Sequence, residues 1–198
     1  MVAAALLLLP CEAKKSPPSH DGMQISELPP KMTDKRAKAV ASVEINAPRD
    51  VVWNVLTDYG HYASIFPRIE SCRITKREGD TLWVESVLKP QMFVKRAQQH
   101  TLVDISSKPE TLKWKLLDGN FKSVDGIWHL EQTADGKHTH ASYTLQAEAG
   151  PFIPSPLVSF IMKMVQRENI TAVKMASERD EPYAPTPISR KLKAPGLL

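Results

Sequence analysis

The order of apolar and polar residues predicts one strand, two short helices and then a long run of strands. Residues 38–45 alternate between apolar and polar, so one face of this segment can enter a core. Residues 46–50 interrupt the alternation, and Pro48 suits the first turn of a helix, where its missing N–H costs nothing. We expect this helix to end near Asp58 and a second short helix to occupy residues 61–66.

The next stretch of about 80 residues keeps a period of two, as strands with one buried face do. Turn-forming sequences such as Gly79-Asp80 and Asp135-Gly136 separate its segments. Short connections between consecutive strands indicate an antiparallel meander. The predicted strands are residues 71–77, 81–88, 94–106, 111–117, 123–132 and 138–148.

The last predicted element is a long helix that begins at Ser155 or Pro156 and ends near Glu178. Apolar residues recur there at intervals of three and four. They are Leu157, Phe160, Ile161, Met164, Val165, Ile170 and Val173. A curved sheet must bury one face, and only this helix is large enough to cover it. The pattern therefore predicts an α+β fold, a curved antiparallel sheet of about seven strands wrapped on a long C-terminal helix.

The charge of the chain lies at its ends. The 198 residues carry a formal charge of +4, yet residues 37–181 hold 18 basic and 18 acidic side chains and are neutral. Nine of the 16 prolines lie outside that range. We therefore predict a flexible arm at residues 14–36, a folded domain at 37–181 and a proline-rich basic tail at 182–198. A neutral domain without a basic cluster argues against nucleic acid as a partner.

The first residues resemble a signal peptide. Residues 2–9 form an apolar run too short to span a bilayer, and Cys11 and Ala13 have the spacing of a small-residue cleavage site. We expect residues 1–13 to be a signal peptide and the protein to be exported, periplasmic or secreted. A lipid anchor at Cys11 and a cytoplasmic location are the alternatives. After cleavage only Cys72 remains, which leaves no partner for an intramolecular disulfide.

Several motifs resemble one known family. Residues 47–59, APRDVVWNVLTDY, are similar to the A-P-x-x-V-W-x-V-L-x-D-Y opening of the polyketide cyclase/dehydrase and coenzyme Q-binding protein branch of the START-like superfamily. Phe66-Pro67, the DGNF and GIW sequences within residues 118–128, and Tyr143 follow in the order of that branch. The resemblance implies the helix-grip fold over nearly the whole domain. The branch contains aromatase/cyclases as well as lipid and quinone binders, so fold alone leaves function open.

No catalytic or metal-binding constellation is evident in the sequence. His138 and His140 would share one face of a strand, but no third ligand accompanies them. There is no G-x-S-x-G motif or glycine-rich phosphate loop, and Cys72 lacks a local base. We therefore predict no catalytic residue, no metal and no cofactor, and we favour a binding module over an enzyme.

A curved sheet on a long helix leaves apolar space, which suits a ligand with few polar groups. The alternation of side chains along each strand and the apolar face of the long helix give the predicted lining. It consists of Leu82, Val84, Ser86, Leu88, Trp114, Trp128, Tyr143, Phe160 and Met164. Two apolar turns are predicted to form the cavity mouth, and they contain Met92, Phe93, Phe152 and Ile153.

The resulting hypothesis is non-enzymatic binding or transfer of a hydrophobic small molecule, such as a lipid, isoprenoid or quinone, by a monomer. A cyclase/dehydrase-like enzyme is one alternative. The other is a membrane-associated envelope accessory protein, in which basic arms and apolar loops make peripheral contact with an anionic bilayer.

Overall fold

The computed structural model describes residues 24–27, 36–90, 96–119, 122–148 and 155–179. A 3₁₀ turn at Tyr59–His61 joins the first two helices. The elements are β1 (Gln24–Glu27), β2 (Arg36–Ile45), α1 (Arg49–Thr57), α2 (Tyr62–Ile65), β3 (Ile69–Glu78), β4 (Thr81–Leu88), β5 (Ala97–Ser107), β6 (Thr111–Asp118), β7 (Ser123–Gln132), β8 (Thr139–Glu148) and α3 (Ser155–Ser177).

The strands form one antiparallel sheet in the order β1-β2-β8-β7-β6-β5-β4-β3, and α3 crosses its concave face. This arrangement confirms the predicted helix-grip fold. The sequence did not predict β1, which lies within the segment expected to be a flexible arm. Gln24 to Glu27 pair there with Ala39 to Ser42 of β2.

One half of the domain is a solid core. Ala39, Ala41, Val43 and Ile45 of β2 are almost fully buried, as the alternation predicted. The C-terminal half of α3 lies on this strand, and Lys174 Nζ there donates a hydrogen bond of 2.6 Å to the backbone oxygen of Glu44. Residues of α3 and α1 complete the core there, and they include Ile170, Val173, Ala176, Val52, Val55 and Leu56.

The start of α1 follows from its sequence. Pro48 sits in the N-cap position, and its carbonyl oxygen accepts hydrogen bonds from Val51 N (3.0 Å) and Val52 N (3.3 Å). Asp50 lies in the first turn, where a negative charge favours the helix dipole. This capping fixes the direction of α1, whose C-terminal end leads into the concave side of the sheet.

β3 forms the edge of the sheet opposite β1 and is irregular. Its pairing with β4 shifts register twice, between Ile69 and Ser71 and again between Ile74 and Lys76. Its outer half carries the charged residues Arg73, Lys76, Arg77 and Glu78, all exposed.

Within the described residues, no helix is both long enough and apolar enough to cross a membrane. The four residues predicted to form the cavity mouth, Met92, Phe93, Phe152 and Ile153, lie outside the described residues. Their role stays a prediction.

Candidate functional site

A cavity of about 260 Å³ lies between the concave face of the sheet and the N-terminal half of α3. Strands β3 to β8 form its wall, and the segment from Leu56 to Phe66 closes one side. Most of the lining is apolar. Representative wall residues are Val103, Leu112, Leu145, Ile161, Met162 and Val165.

Six of the nine predicted lining residues border this cavity, and each comes from a strand. They are Val84, Ser86, Leu88, Trp114, Trp128 and Tyr143. Strand parity placed them correctly because side chains alternate strictly across a pleated sheet. Whether they contact a ligand stays a prediction.

The other three predicted lining residues do not border the cavity. Leu82 is buried on the inner face of β4 within the hydrophobic cluster, but it does not line the cavity. Phe160 is 59% exposed, so the prediction that it faces the sheet is wrong. Met164 is half-buried and is absent from the wall.

The buried face of α3 contains a glutamine. Gln166 is fully buried, and its Nε2 donates a hydrogen bond of 2.6 Å to the backbone oxygen of Tyr143. The buried face of the helix therefore includes a polar residue that the apolar stripe omits. Val158 and Met162 are buried on this face, whereas Phe160 points away from it.

Aromatic rings form one part of the cavity wall. Trp128 and Tyr143 stack with ring centroids 4.2 Å apart and planes 10° apart. The indole of Trp114 lies directly over Gly126, where a Cβ atom would stand 2.3 Å from its Nε1 atom. Gly126 is therefore glycine because only a residue without a side chain lets this indole lie flat against β7.

The hydroxyl of Tyr143 belongs to a satisfied polar cluster. Asn169 of α3 and Trp114 both hydrogen-bond it. Burial raises the pKa of Tyr143 above its ordinary value, and these two hydrogen bonds offset only part of the rise. The phenol is therefore neutral near pH 7 and is held in place by protein groups.

A second polar cluster lies on the β3 side of the cavity. Tyr59, Tyr62, Cys72 and Ser86 all line it. The hydroxyl of Tyr62 donates to the backbone oxygen of Leu56 at 2.5 Å. The Tyr59 hydroxyl, by contrast, is buried and makes no hydrogen bond of good geometry with the described residues.

Burial controls the ionisation of this second cluster. It raises the pKa of Tyr59 and of Tyr62 well above the ordinary tyrosine value, and the neighbouring Tyr62 hydroxyl partly offsets the rise at Tyr59. Burial also raises the pKa of the Cys72 thiol to about 12, while a hydrogen bond with Ser86 on the adjacent strand opposes that rise. All these groups are neutral at physiological pH.

Arg68 is the one charged residue among the described groups that line the cavity. Its guanidinium makes a bidentate pair with the carboxylate of Glu168 on α3, and the Nη2 to Oε1 distance is 2.8 Å. Both side chains are mostly shielded from solvent. The pair ties the start of β3 to α3 and leaves the cavity without net charge.

The predicted lining omitted some strand residues of the cavity, such as Gln99, Thr101 and Leu145, and all of its residues outside the strands. Tyr59 comes from the 3₁₀ turn after α1, Tyr62 from α2, Asn169 from α3 and Arg68 from the loop before β3. The one signal available was the motif around residues 47–59, which ends in Tyr59 and which was interpreted as core and turn positions.

No cluster of three or more His, Cys, Asp or Glu side chains suited to a metal ion occurs in the described residues. The described lining likewise contains no Asp, Glu or His side chain. His138 lies near Asp135 in a turn, with its Nδ1 3.2 Å from Oδ2 of that residue.

Comparison with known families agrees with this geometry. Residues 45–174 match the family described as polyketide cyclase / dehydrase and lipid transport. The chain belongs to this family. A curated relative from Streptomyces cyaneus, described as a putative polyketide cyclase, is 26% identical over 106 residues, which are 50% of this chain and 65% of the relative.

Solved structures share the fold at low sequence identity. A STAR-related lipid transfer protein from Xanthomonas axonopodis has a TM-score of 0.68 and 14% identity, over 81% of this chain and 96% of that one. A START superfamily protein from Mycobacterium smegmatis has a TM-score of 0.64 and 16% identity, over 71% and 97%. The Zhui aromatase/cyclase from a Streptomyces species has a TM-score of 0.59 and 20% identity, over 72% and 91%.

Proposed function

We propose that this protein binds a neutral hydrophobic small molecule in the cavity under α3, for storage or transfer rather than chemical conversion. The observation that carries the proposal is the lining. It is largely apolar, its one described cation is paired with Glu168, and its hydroxyls and thiol stay protonated. A preformed apolar cavity with a few convergent polar groups is the usual form of a small-molecule site.

The test is a pair of tryptophan substitutions at adjacent positions. Ile161→Trp would fill the cavity, whereas Phe160→Trp would place the same ring on the exposed face of α3. We expect the first to lower the affinity for the neutral fluorescent probe N-phenyl-1-naphthylamine at least about tenfold, and the second to leave it unchanged. Equal probe binding by wild type and both variants would refute the proposal.

Native mass spectrometry of the full chain after gentle purification gives an independent readout. A bound hydrophobic compound would appear as a mass adduct on wild type and on Phe160→Trp, and it would be reduced on Ile161→Trp. The mass of that adduct would distinguish a lipid, an isoprenoid and a quinone.

A cyclase/dehydrase-like enzyme is the second candidate. The family description and the printed names of two relatives favour it. Closing a ring by condensation requires a group that removes a proton from carbon, and catalytic bases work best with a pKa near the working pH. The described lining offers hydroxyl donors but no carboxylate or imidazole for this role. Turnover of a poly-β-ketothioester that is lost in Ile161→Trp and kept in Phe160→Trp would establish the enzyme instead.

Peripheral membrane contact and export remain proposals based on the terminal sequences. If the basic tail holds the protein to an anionic bilayer, removing residues 182–198 should weaken binding to phosphatidylglycerol vesicles, and added salt should do the same. Binding that ignores both changes would exclude this mode of attachment.

A further inference from the structure

A row of polar side chains crosses the wall of the cavity on three neighbouring strands. Cys72 of β3 pairs in register with Ser86 of β4, and Ser86 pairs with Gln99 of β5. All three residues line the cavity. Side chains directly opposite each other on neighbouring strands have Cβ atoms about 4.5–5.5 Å apart. The row therefore groups a thiol, a hydroxyl and an amide within a mostly apolar wall.

The row is hydrogen-bonded at one end and open at the other. Cys72 and Ser86 hydrogen-bond each other. The side-chain amide of Gln99 makes no hydrogen bond within the described part of the chain, and its oxygen and nitrogen are not sealed from solvent-sized molecules. Gln99 is therefore the polar residue of the row that a bound molecule can reach and pair with.

The direction of Gln99 follows from its place on β5. Thr101 and Val103, two and four residues farther along the strand, line the cavity with it, as strand alternation requires. Gln98 points to the opposite face, where it is exposed and hydrogen-bonds Glu85. Two adjacent glutamines thus face opposite sides of the sheet, one in the cavity wall and one on the surface.

We infer that Gln99 is a specificity residue of the cavity, and that its amide oxygen accepts a hydrogen bond from a hydroxyl group of a neutral, otherwise apolar ligand. This inference rests on the proposed function, because it assigns one polar contact to the same cavity. An amide oxygen has two lone pairs and carries no proton, so it suits a donor. Asn169, the other amide in the described lining, already hydrogen-bonds the hydroxyl of Tyr143.

The lining distinguishes a ligand hydroxyl from a ligand carbonyl. A carbonyl needs only a donor, and the described wall offers hydroxyls for that purpose, such as those of Ser86 and Thr101, so a carbonyl does not depend on Gln99. A hydroxyl must place its proton on an acceptor, because a donor left unpaired in an apolar wall is costly. The expected ligand class is an alcohol with an apolar body.

Three probes with one bicyclic frame separate these chemistries. 2-Tetralol donates and accepts hydrogen bonds, 2-tetralone only accepts them, and tetralin does neither. Affinities of the full chain for each probe would be measured by calorimetry and by quenching of the cavity indoles, Trp114 and Trp128. Because the probes differ in their own hydration, each probe is compared between protein variants.

Substitutions at two adjacent glutamines test the assignment. Gln99→Met keeps the length of the side chain and removes the amide. It should weaken 2-tetralol roughly 3- to 10-fold, the range for one neutral hydrogen bond, and leave 2-tetralone and tetralin unchanged. Gln98→Met is the matched control on the outer face and should change none of the three affinities. Gln99→Glu keeps an acceptor in the same place and should bind 2-tetralol at least as well as wild type does.

The outcomes separate the inference from the proposed function. A loss of 2-tetralol and tetralin by one common factor in Gln99→Met would overturn the inference. An equal loss of 2-tetralone would also overturn it, because the amide would then act as a donor, and so would weak binding of 2-tetralol by Gln99→Glu. In each of these cases N-phenyl-1-naphthylamine would still bind, and the cavity would remain a binding site. If neither the three probes nor N-phenyl-1-naphthylamine binds wild type, the proposed function fails and the inference fails with it.

Discussion

The two halves of α3 lie over different kinds of interior. Its C-terminal half lies beside β2 and contributes Ile170, Val173 and Ala176, all almost fully buried, to the hydrophobic core. Its N-terminal half spans the cavity, where Ile161 and Val165 are only partly buried. One continuous helix thus serves as a core element at one end and as the cover of a cavity at the other. Under the proposed function, stability and ligand binding depend on different parts of its length.

The largest expected effect comes from truncating one isoleucine to alanine in each half of α3. Ile170→Ala should lower the free energy of unfolding by about 2–5 kcal/mol, because it opens a hole in a packed core. Ile161→Ala should cost less than about 1.5 kcal/mol, since its side chain already borders empty space. Urea unfolding of both variants measures the difference, and equal losses would show that the cavity half is as tightly packed as the other.

Gly126→Ala tests the packing of the cavity wall on the sheet. The new Cβ would overlap the indole of Trp114, which must swing into the cavity. We expect a loss of about 1–3 kcal/mol in stability, as for overpacked sites, together with weaker binding of N-phenyl-1-naphthylamine. Gly119→Ala is the control, because its nearest neighbour is a flexible methyl of Leu116 at 3.1 Å. Unchanged Trp fluorescence in Gly126→Ala would contradict the packing described.

A smaller effect is expected from the ion pair between Arg68 and Glu168. Glu168→Gln removes one charge from a shielded bidentate pair and should cost about 1 kcal/mol while speeding the release of bound probe. Glu70→Gln is the matched control. Glu70 also makes a bidentate ion pair, with Arg96, but this pair is exposed. Stopped-flow release rates and urea midpoints would measure both. The prediction fails if the exposed variant changes as much as the shielded one.

The smallest effect is a pH dependence from Cys72. Its thiol has a pKa of about 12 in the folded protein instead of the ordinary 9.0, so the unfolded chain loses this proton first. Stability is therefore complete below pH 9 and declines as the pH rises toward 12. Since the buried tyrosines contribute only above their ordinary value of 10.0, the window between pH 9 and 10 isolates Cys72. Wild type should weaken there and Cys72→Ala should not, as measured by urea unfolding.

Most of the fold could be predicted because the strands alternate cleanly between turn sequences. The bounds of β4 and β7 agree with the predicted residues 81–88 and 123–132. β1 was missed because four residues are too few to show a period. Its stability comes from pairing with β2, which is a tertiary property.

The candidate site was predictable only where it lies on strands. Val84, Ser86 and Tyr143 followed from parity, and a strand allows only two directions for a side chain. On α3 the direction depends on which polar residue is buried, and Gln166 gave no sign of this in the sequence. Tyr59 lies on a turn, where no period exists to give its direction.

The irregular edge strand β3 has a consequence for solubility. An open sheet has two edge strands, and an exposed edge strand can pair with another chain and cause aggregation. Two register shifts and the charges of Arg73, Lys76, Arg77 and Glu78 make β3 a poor template for such pairing. At the opposite side β1 covers part of β2. These features reduce the tendency of the β3 edge to pair with a strand of another chain.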